Sequence, residues 1–101
     1  MKTRIWLDDE RKNPPGFFWA KTVEQAQEIF KNYDVLEVSL DHDLGENELT
    51  GYDFVCWIEK KIAFGTWKYR IPEFHIHSAN PVGRKNMQKA IESIERIANN
   101  G

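Results

Sequence analysis

The sequence predicts a small three-layer α/β sandwich around a truncated, mainly parallel four-stranded sheet. Short strand-like segments alternate with stretches of helical periodicity along the chain. Strands separated by helices must cross over, so they pair in parallel, and such crossovers are right-handed. A length of 101 residues fits one domain, residues 1–101, near the lower end of what builds a core without staples.

The first strand is "RIWL", Arg4 to Leu7, and it stops at Asp8 and Asp9. The next segment, "ERKNPPGFF", carries two prolines and a glycine, which rule out a regular helix. A second short strand is expected from Phe18 to Lys21. Thr22 opens the first helix, because "TVEQ" sets a capping oxygen three residues ahead of Gln25. Val23, Ala26, Ile29, Phe30 and Tyr33 form its apolar face.

"VSLD", Val38 to Asp41, is the third strand. Thr50 then caps a helix whose inner side includes Phe54, Val55, Ile58 and Ile62, and Gly65 ends it. "EFHIHS", Glu73 to Ser78, is the last strand. Asn80 as N-cap and Pro81 at the first helical position start the final helix. Its inner stripe is Met87, Ala90, Ile91, Ile94, Ile97 and Ala98.

Composition narrows the function. With 41% hydrophobic and 13% aromatic residues, the chain is expected to be globular. The single cysteine, Cys56, allows no internal disulfide and suits a reducing cytosol. No apolar run is long enough to span a bilayer, and "MKTRIWLDDER" is too charged for a signal peptide, so a cytoplasmic protein with no membrane partner is expected. A net charge of −2 from 14 basic and 16 acidic residues argues against binding duplex DNA through many phosphates.

In a parallel sheet the reactive site lies beyond the carboxyl ends of the strands. Asp8, Asp9, Asp41, His42, Asp43, His77, Ser78 and Asn80 all fall on that rim. Four carboxylates gathered there need a counter-charge, and hard oxygen ligands suit Mg²⁺, or Mn²⁺ in its place. Arg84 and Lys85 sit in the first turns of the final helix, where the macrodipole disfavours positive charge. They make sense if an anion rests above that helix, joined by Ser78, Asn80, Gly83 and free backbone N–H groups. A metal beside a phosphate grip is the layout of phosphoryl chemistry.

The pair "DD" after the first strand, the aspartate ending the third and the serine ending the fourth resemble the response-regulator receiver domain. "LDDER", "SLDHDLG", "GYDFV" and "HSANPVGRKNM" resemble more closely its divergent branch, the cyclic-phosphate processing receiver domain, over most of the chain. The resemblance implies a receiver-like (flavodoxin-like) fold and a metal-dependent acidic site acting on nucleotide cyclic phosphates. By motif position it implies that Asp8 and Asp9 hold the metal, that Asp41 takes the phosphoacceptor place and that Ser78 supplies the hydroxyl that contacts the phosphoryl group. A receiver's fifth strand delivers a lysine; here the chain ends with the helix after the fourth strand, so only Arg84 or Lys85 could replace that charge.

His42 is a candidate general acid or base, since an imidazole suits proton transfer at neutral pH. An extended backbone would point Asp41 and Asp43 to one side and His42 to the other. The expected catalytic set is thus Asp41, His42 and Asp43. Ser78, Asn80, Arg84, Lys85 and His77 form the phosphate set, and Asp8, Asp9 and Asp41 the metal set. The expected activity is a phosphodiesterase-like hydrolysis of a cyclic phosphate in a nucleotide or at an RNA end. Two alternatives stand beside it: a binder that sequesters a nucleotide signal, and a degenerate phosphoacceptor receiver.

Plainer roles compete for the same residues. Asp8 and Asp9 could end a strand and cap a turn. Arg84 and Lys85 could be a solvated helix face. His75 and His77 alternate on one strand face, as metal ligands or as half-exposed edge residues. Cys56 reads as a packed thiol. Trp67, Tyr69 and Arg70 invite a base-stacking reading, but they precede the last strand and belong to the opposite rim, as core lids or the contact of a homo-oligomer. "GENELTG", Gly45 to Gly51, is a lid or a plain connection over the site.

Overall fold

A computed structural model describes residues 2–100. Its elements are β1 (Lys2–Leu7), β2 (Phe18–Ala20), α1 (Val23–Asn32), β3 (Asp34–Leu40), α2 (Gly51–Ala63), β4 (Glu73–Ile76) and α3 (Pro81–Asn100). The four strands form one all-parallel sheet in the order β2-β1-β3-β4. This is the expected receiver-like α/β arrangement with a truncated parallel sheet.

The predicted start signals act as local physics requires. Thr22 Oγ1 accepts the Gln25 amide, and the Gln25 side chain accepts the amide of Lys21 at 2.7 Å. Thr50 and Asp53 form a full capping box on α2. Asn80 Oδ1 accepts the Gly83 amide at 3.0 Å and caps α3. Phe30, Phe54, Met87 and Ile94 are fully buried between the helices and the sheet, with Ile5, Leu7, Val38 and Leu40 beneath them. Two apolar assignments shift: Tyr33 leaves the α1 face to end that helix, and Ala98 is exposed.

The layering is simpler than expected. The connections β2 to β3 and β3 to β4 step across the sheet in one direction, so right-handed crossovers put α1 and α2 on the same face. α3 packs on α2 and shares their single core. The three-layer expectation is therefore corrected to two layers, and the molecule is only 22 Å thick along its shortest axis. On the helix-free face, Glu37 takes Arg4 at 2.7 Å and His75 at 2.8 Å, with Glu73 beside them.

The aromatic segment before β4 lies at the opposite rim, as expected. Trp67 and Tyr69 pack against Phe30, and Arg70 forms two hydrogen bonds to Asp34. Burial raises the Cys56 thiol above its ordinary value, in keeping with a packed thiol. No helix among the described residues is long and apolar enough to cross a membrane.

Gly51 sets the spacing between α2 and the end of β3. A Cβ there would collide with the Asp41 carbonyl oxygen, which is main chain and cannot rotate away. Gly51→Ala is expected to cost about 3 kcal/mol through overpacking. Urea denaturation of the variant beside the parent checks this.

Candidate functional site

Three neighbouring strands end in register. Leu7 pairs with Leu40, and Leu40 with Ile76. The ladder runs one step further, with the Asp41 amide donating to the Leu7 carbonyl and the His77 amide to the Leu40 carbonyl, both at 2.9 Å. Side chains alternate across a strand, so the residues after that apolar row, Asp8, Asp41 and His77, share the helix-free face. One ligand atom from each lies within 4.8 Å of the other two.

Asp8 is fully buried. Its Oδ1 accepts the Glu10 and Arg11 amides at 2.8 Å, and its Oδ2 takes His77 Nε2 at 3.0 Å. It therefore does cap a turn, while also facing the cluster. The His77 ring lies flat on Trp6, with centroids 3.8 Å apart and planes 2° apart, and its Nδ1 meets Ser39 Oγ at 2.8 Å. The segment between β1 and β2 closes over this layer. Trp6 Nε1 donates to the Arg11 carbonyl, Trp19 Nε1 to the Asp8 carbonyl, and Arg11 to the His77 carbonyl.

Burial, the largest influence on Asp8, pushes its carboxyl up. The amides of Arg11 and Glu10 and the His77 imidazole outweigh it and hold the group below the ordinary carboxylate value. Burial also dominates at His77 and pushes the imidazole down, against the opposing pull of Asp8. The pair is thus a carboxylate and a neutral ring. Nε2–H donates to Asp8, and Nδ1 accepts the Ser39 hydroxyl proton.

His42 and Asp43 occupy the other side of the rim. The His42 ring packs on Gly83 in the first turn of α3, where a Cβ would collide with it. His42 Nδ1 pairs with Asp43 Oδ1 at 3.2 Å, and Asn80 Nδ2 donates to Asp43 Oδ2 at 3.2 Å. The His42 hydrogen bond, then that from Asn80, holds Asp43 below the ordinary carboxylate value. The chain turns after Leu40, so Asp43 lies with His42 and apart from Asp41. Asp41 joins the two halves, its Oδ1 accepting the His42 amide at 2.8 Å.

Of the four expected carboxylates, Asp8 and Asp41 gather with His77. Asp9 stands outside that set, its Oδ2 directed toward Gly45, and Asp43 stands with the second half. Ser78 is buried and accepts the Asn80 amide at 3.1 Å. Arg84 donates to the Ser78 carbonyl at 2.9 Å, while Lys85 is exposed and lines a groove with Ile76, Pro81, Arg84 and Gln88. Sequence reasoning missed Ser39 and Trp6. The signal was their position on the polar side of the strand alternation, two residues before Asp41 and Asp8.

The chemistry of the inner donor set, two carboxylates and an imidazole from rigid strand tips, fits a divalent cation. The chain matches the family model of the cyclic-phosphate processing receiver domain over residues 3–93, which cover the sheet except for Lys2. No curated protein and no solved structure matches it.

The downward shifts of Asp8 and His77 have the same sign in folding. Where the folded pKa is lowered, the unfolded chain binds protons first, so stability is complete above the unfolded value and falls with pH below it. Stability should decline first from about 6.5, the ordinary imidazole value, down through the His77 titration. It should decline again from about 3.8, the ordinary carboxylate value, down through that of Asp8. Urea midpoints followed from alkaline to acid pH test this, and His77→Phe should shrink the upper stage and keep the lower.

Proposed function

The chain belongs to the cyclic-phosphate processing receiver family, and from that premise we propose that it hydrolyses a cyclic phosphate of a nucleotide or an RNA end. The observation that carries this reading is the meeting of Asp8, Asp41 and His77 beside a helix start that bears Arg84 and Lys85. Water adds to phosphorus, one ring P–O bond breaks, and the departing oxygen takes a proton. The product is a phosphomonoester next to a free hydroxyl.

Asp8 and Asp41, with Asp9 on the rim beside them, would hold Mg²⁺ or Mn²⁺. Such an ion, when bound, offsets carboxylate charge and polarises a phosphoryl oxygen.

The remaining work falls to the chain's own groups. Asp43 orients His42 through Nδ1, which leaves Nε2 to exchange the proton with water or the departing oxygen. The Ser78 hydroxyl accepts from Asn80, so its own hydrogen is available to a phosphoryl oxygen. Lys85 and the Val82 amide, which remains after Asn80 takes those of Gly83 and Arg84, offer positive potential to the phosphate. Arg84 reaches the same place with the N–H groups that its bond to Ser78 leaves over. His77 has both ring nitrogens engaged and contributes through Asp8 rather than by touching phosphate.

Asp41→Asn keeps the shape and removes the charge. Turnover of the best substrate in a panel of 2′,3′- and 3′,5′-cyclic nucleotides and cyclic oligonucleotides should fall roughly a thousandfold or more, without loss of folded signal in circular dichroism. A chelator should have the same effect on the parent protein. Retained activity would remove Asp41 from the mechanism. A ligand recovered intact after heat denaturation would make the domain a sequestering binder, and a stable acyl-phosphate on Asp41 would make it a phosphoacceptor.

A further inference from the structure

Building on the divalent-ion reading above, we infer that Nε2 of His77 is the third ligand of that ion, so that the site selects Mn²⁺, Co²⁺ or Zn²⁺ over Mg²⁺. Mg²⁺ takes oxygen ligands and keeps its waters, whereas an imidazole favours the later divalent metals. Asp8, Asp41 and His77 place one donor each within 4.8 Å of the others, while Asp9 lies outside that set. Asp8 Oδ1 is committed to two backbone amides. The free ligand position is Oδ2, the oxygen that now holds His77.

The surroundings of His77 are those of a supported ligand. A metal-binding imidazole needs its second nitrogen held and its ring fixed. Ser39, largely buried, holds Nδ1, and the stack on Trp6 fixes the ring plane.

A hydroxyl serves either tautomer because it both donates and accepts. Without an ion, Nε2–H faces Asp8 and Ser39 donates to Nδ1. With an ion on Nε2, the ring would release that proton to water, take one from water at Nδ1 and keep it there in a hydrogen bond to Ser39 Oγ. The ring stays neutral, so the proton count is unchanged.

The other carboxylate–histidine group, Glu37, Glu73 and His75, lacks these features. It is more exposed, and Arg4 already neutralises Glu37.

The test uses the full chain stripped of metal. Mn²⁺ and Mg²⁺ are titrated separately by calorimetry into the parent, His77→Phe, Ser39→Ala and Asp41→Asn proteins. Phenylalanine preserves the stack on Trp6 and removes both nitrogens. The parent should prefer Mn²⁺. His77→Phe should weaken Mn²⁺ by at least about tenfold and erase the preference, with Mg²⁺ nearly unchanged. Ser39→Ala should weaken Mn²⁺ by a smaller factor.

In the ¹⁵N-labelled parent, Zn²⁺ should shift Nε2 of His77 and move the ring proton from Nε2 to Nδ1. That spectrum decides the matter if His77→Phe does not fold. Unchanged Mn²⁺ affinity in folded His77→Phe, with binding lost in Asp41→Asn, overturns the inference and leaves the divalent-ion reading standing. A parent that binds no cation overturns both.

Discussion

The parallel register of β1, β3 and β4 is the constraint on which the site depends. Leu7, Leu40 and Ile76 stand in one row, and the next residue of each strand faces away from the helices. A slip of one residue in any strand would send its site residue into the core and bring a core residue out. The apolar row prevents this, because Ile5, Leu7, Val38 and Leu40 are completely buried and would lose that burial together. The ordinary packing of the core thus positions Asp8, Asp41 and His77 to within the reach of one ion.

With helices on one face only, the cluster lacks the usual cover of a parallel sheet. The segment between β1 and β2 supplies it, through the Glu10 and Arg11 amides on Asp8, the indole bonds of Trp6 and Trp19, and Phe17 edge-on to Trp6. Its prolines and glycine, which exclude a helix, suit a chain that must turn back within a few residues. The Arg11 and Glu10 amides of this turn lead the influences that lower the Asp8 carboxyl, followed by His77.

What the sequence made legible was mainly local. Thr22, Thr50, Asn80 with Pro81, and Gly65 mark their helix ends through bonds that reach only a few residues. The tips of β1 and β3 were legible because an acidic residue, Asp8 or Asp41, ends each apolar run. Layering was misjudged although the signal was there: "KTRIWL" alternates, with Lys2, Arg4 and Trp6 on one side, and Glu37, Ser39, Glu73 and His75 continue that polar side. A parallel strand buried on both faces reads as a continuous apolar run. His77 was harder, since its partners Ser39 and Asp8 lie 38 and 69 residues away and meet it only through the register.

Charge is not shared evenly among the four rim aspartates. Asp8 is compensated by two amides and an imidazole, and Asp43 by His42 and Asn80. Asp9 stands apart. Asp41 accepts one hydrogen bond among the described residues, on Oδ1, so Oδ2 keeps its full capacity. The neighbouring carboxylate of Asp8 is held ionised, so on the proposed reading a cation would rest between it and Asp41. Asp41 also carries the backbone that continues into His42, on the side where α3 begins. On the proposed reading the cation and the phosphate would therefore meet at one residue, and an ion and a phosphoryl group would be brought together there rather than at either half alone.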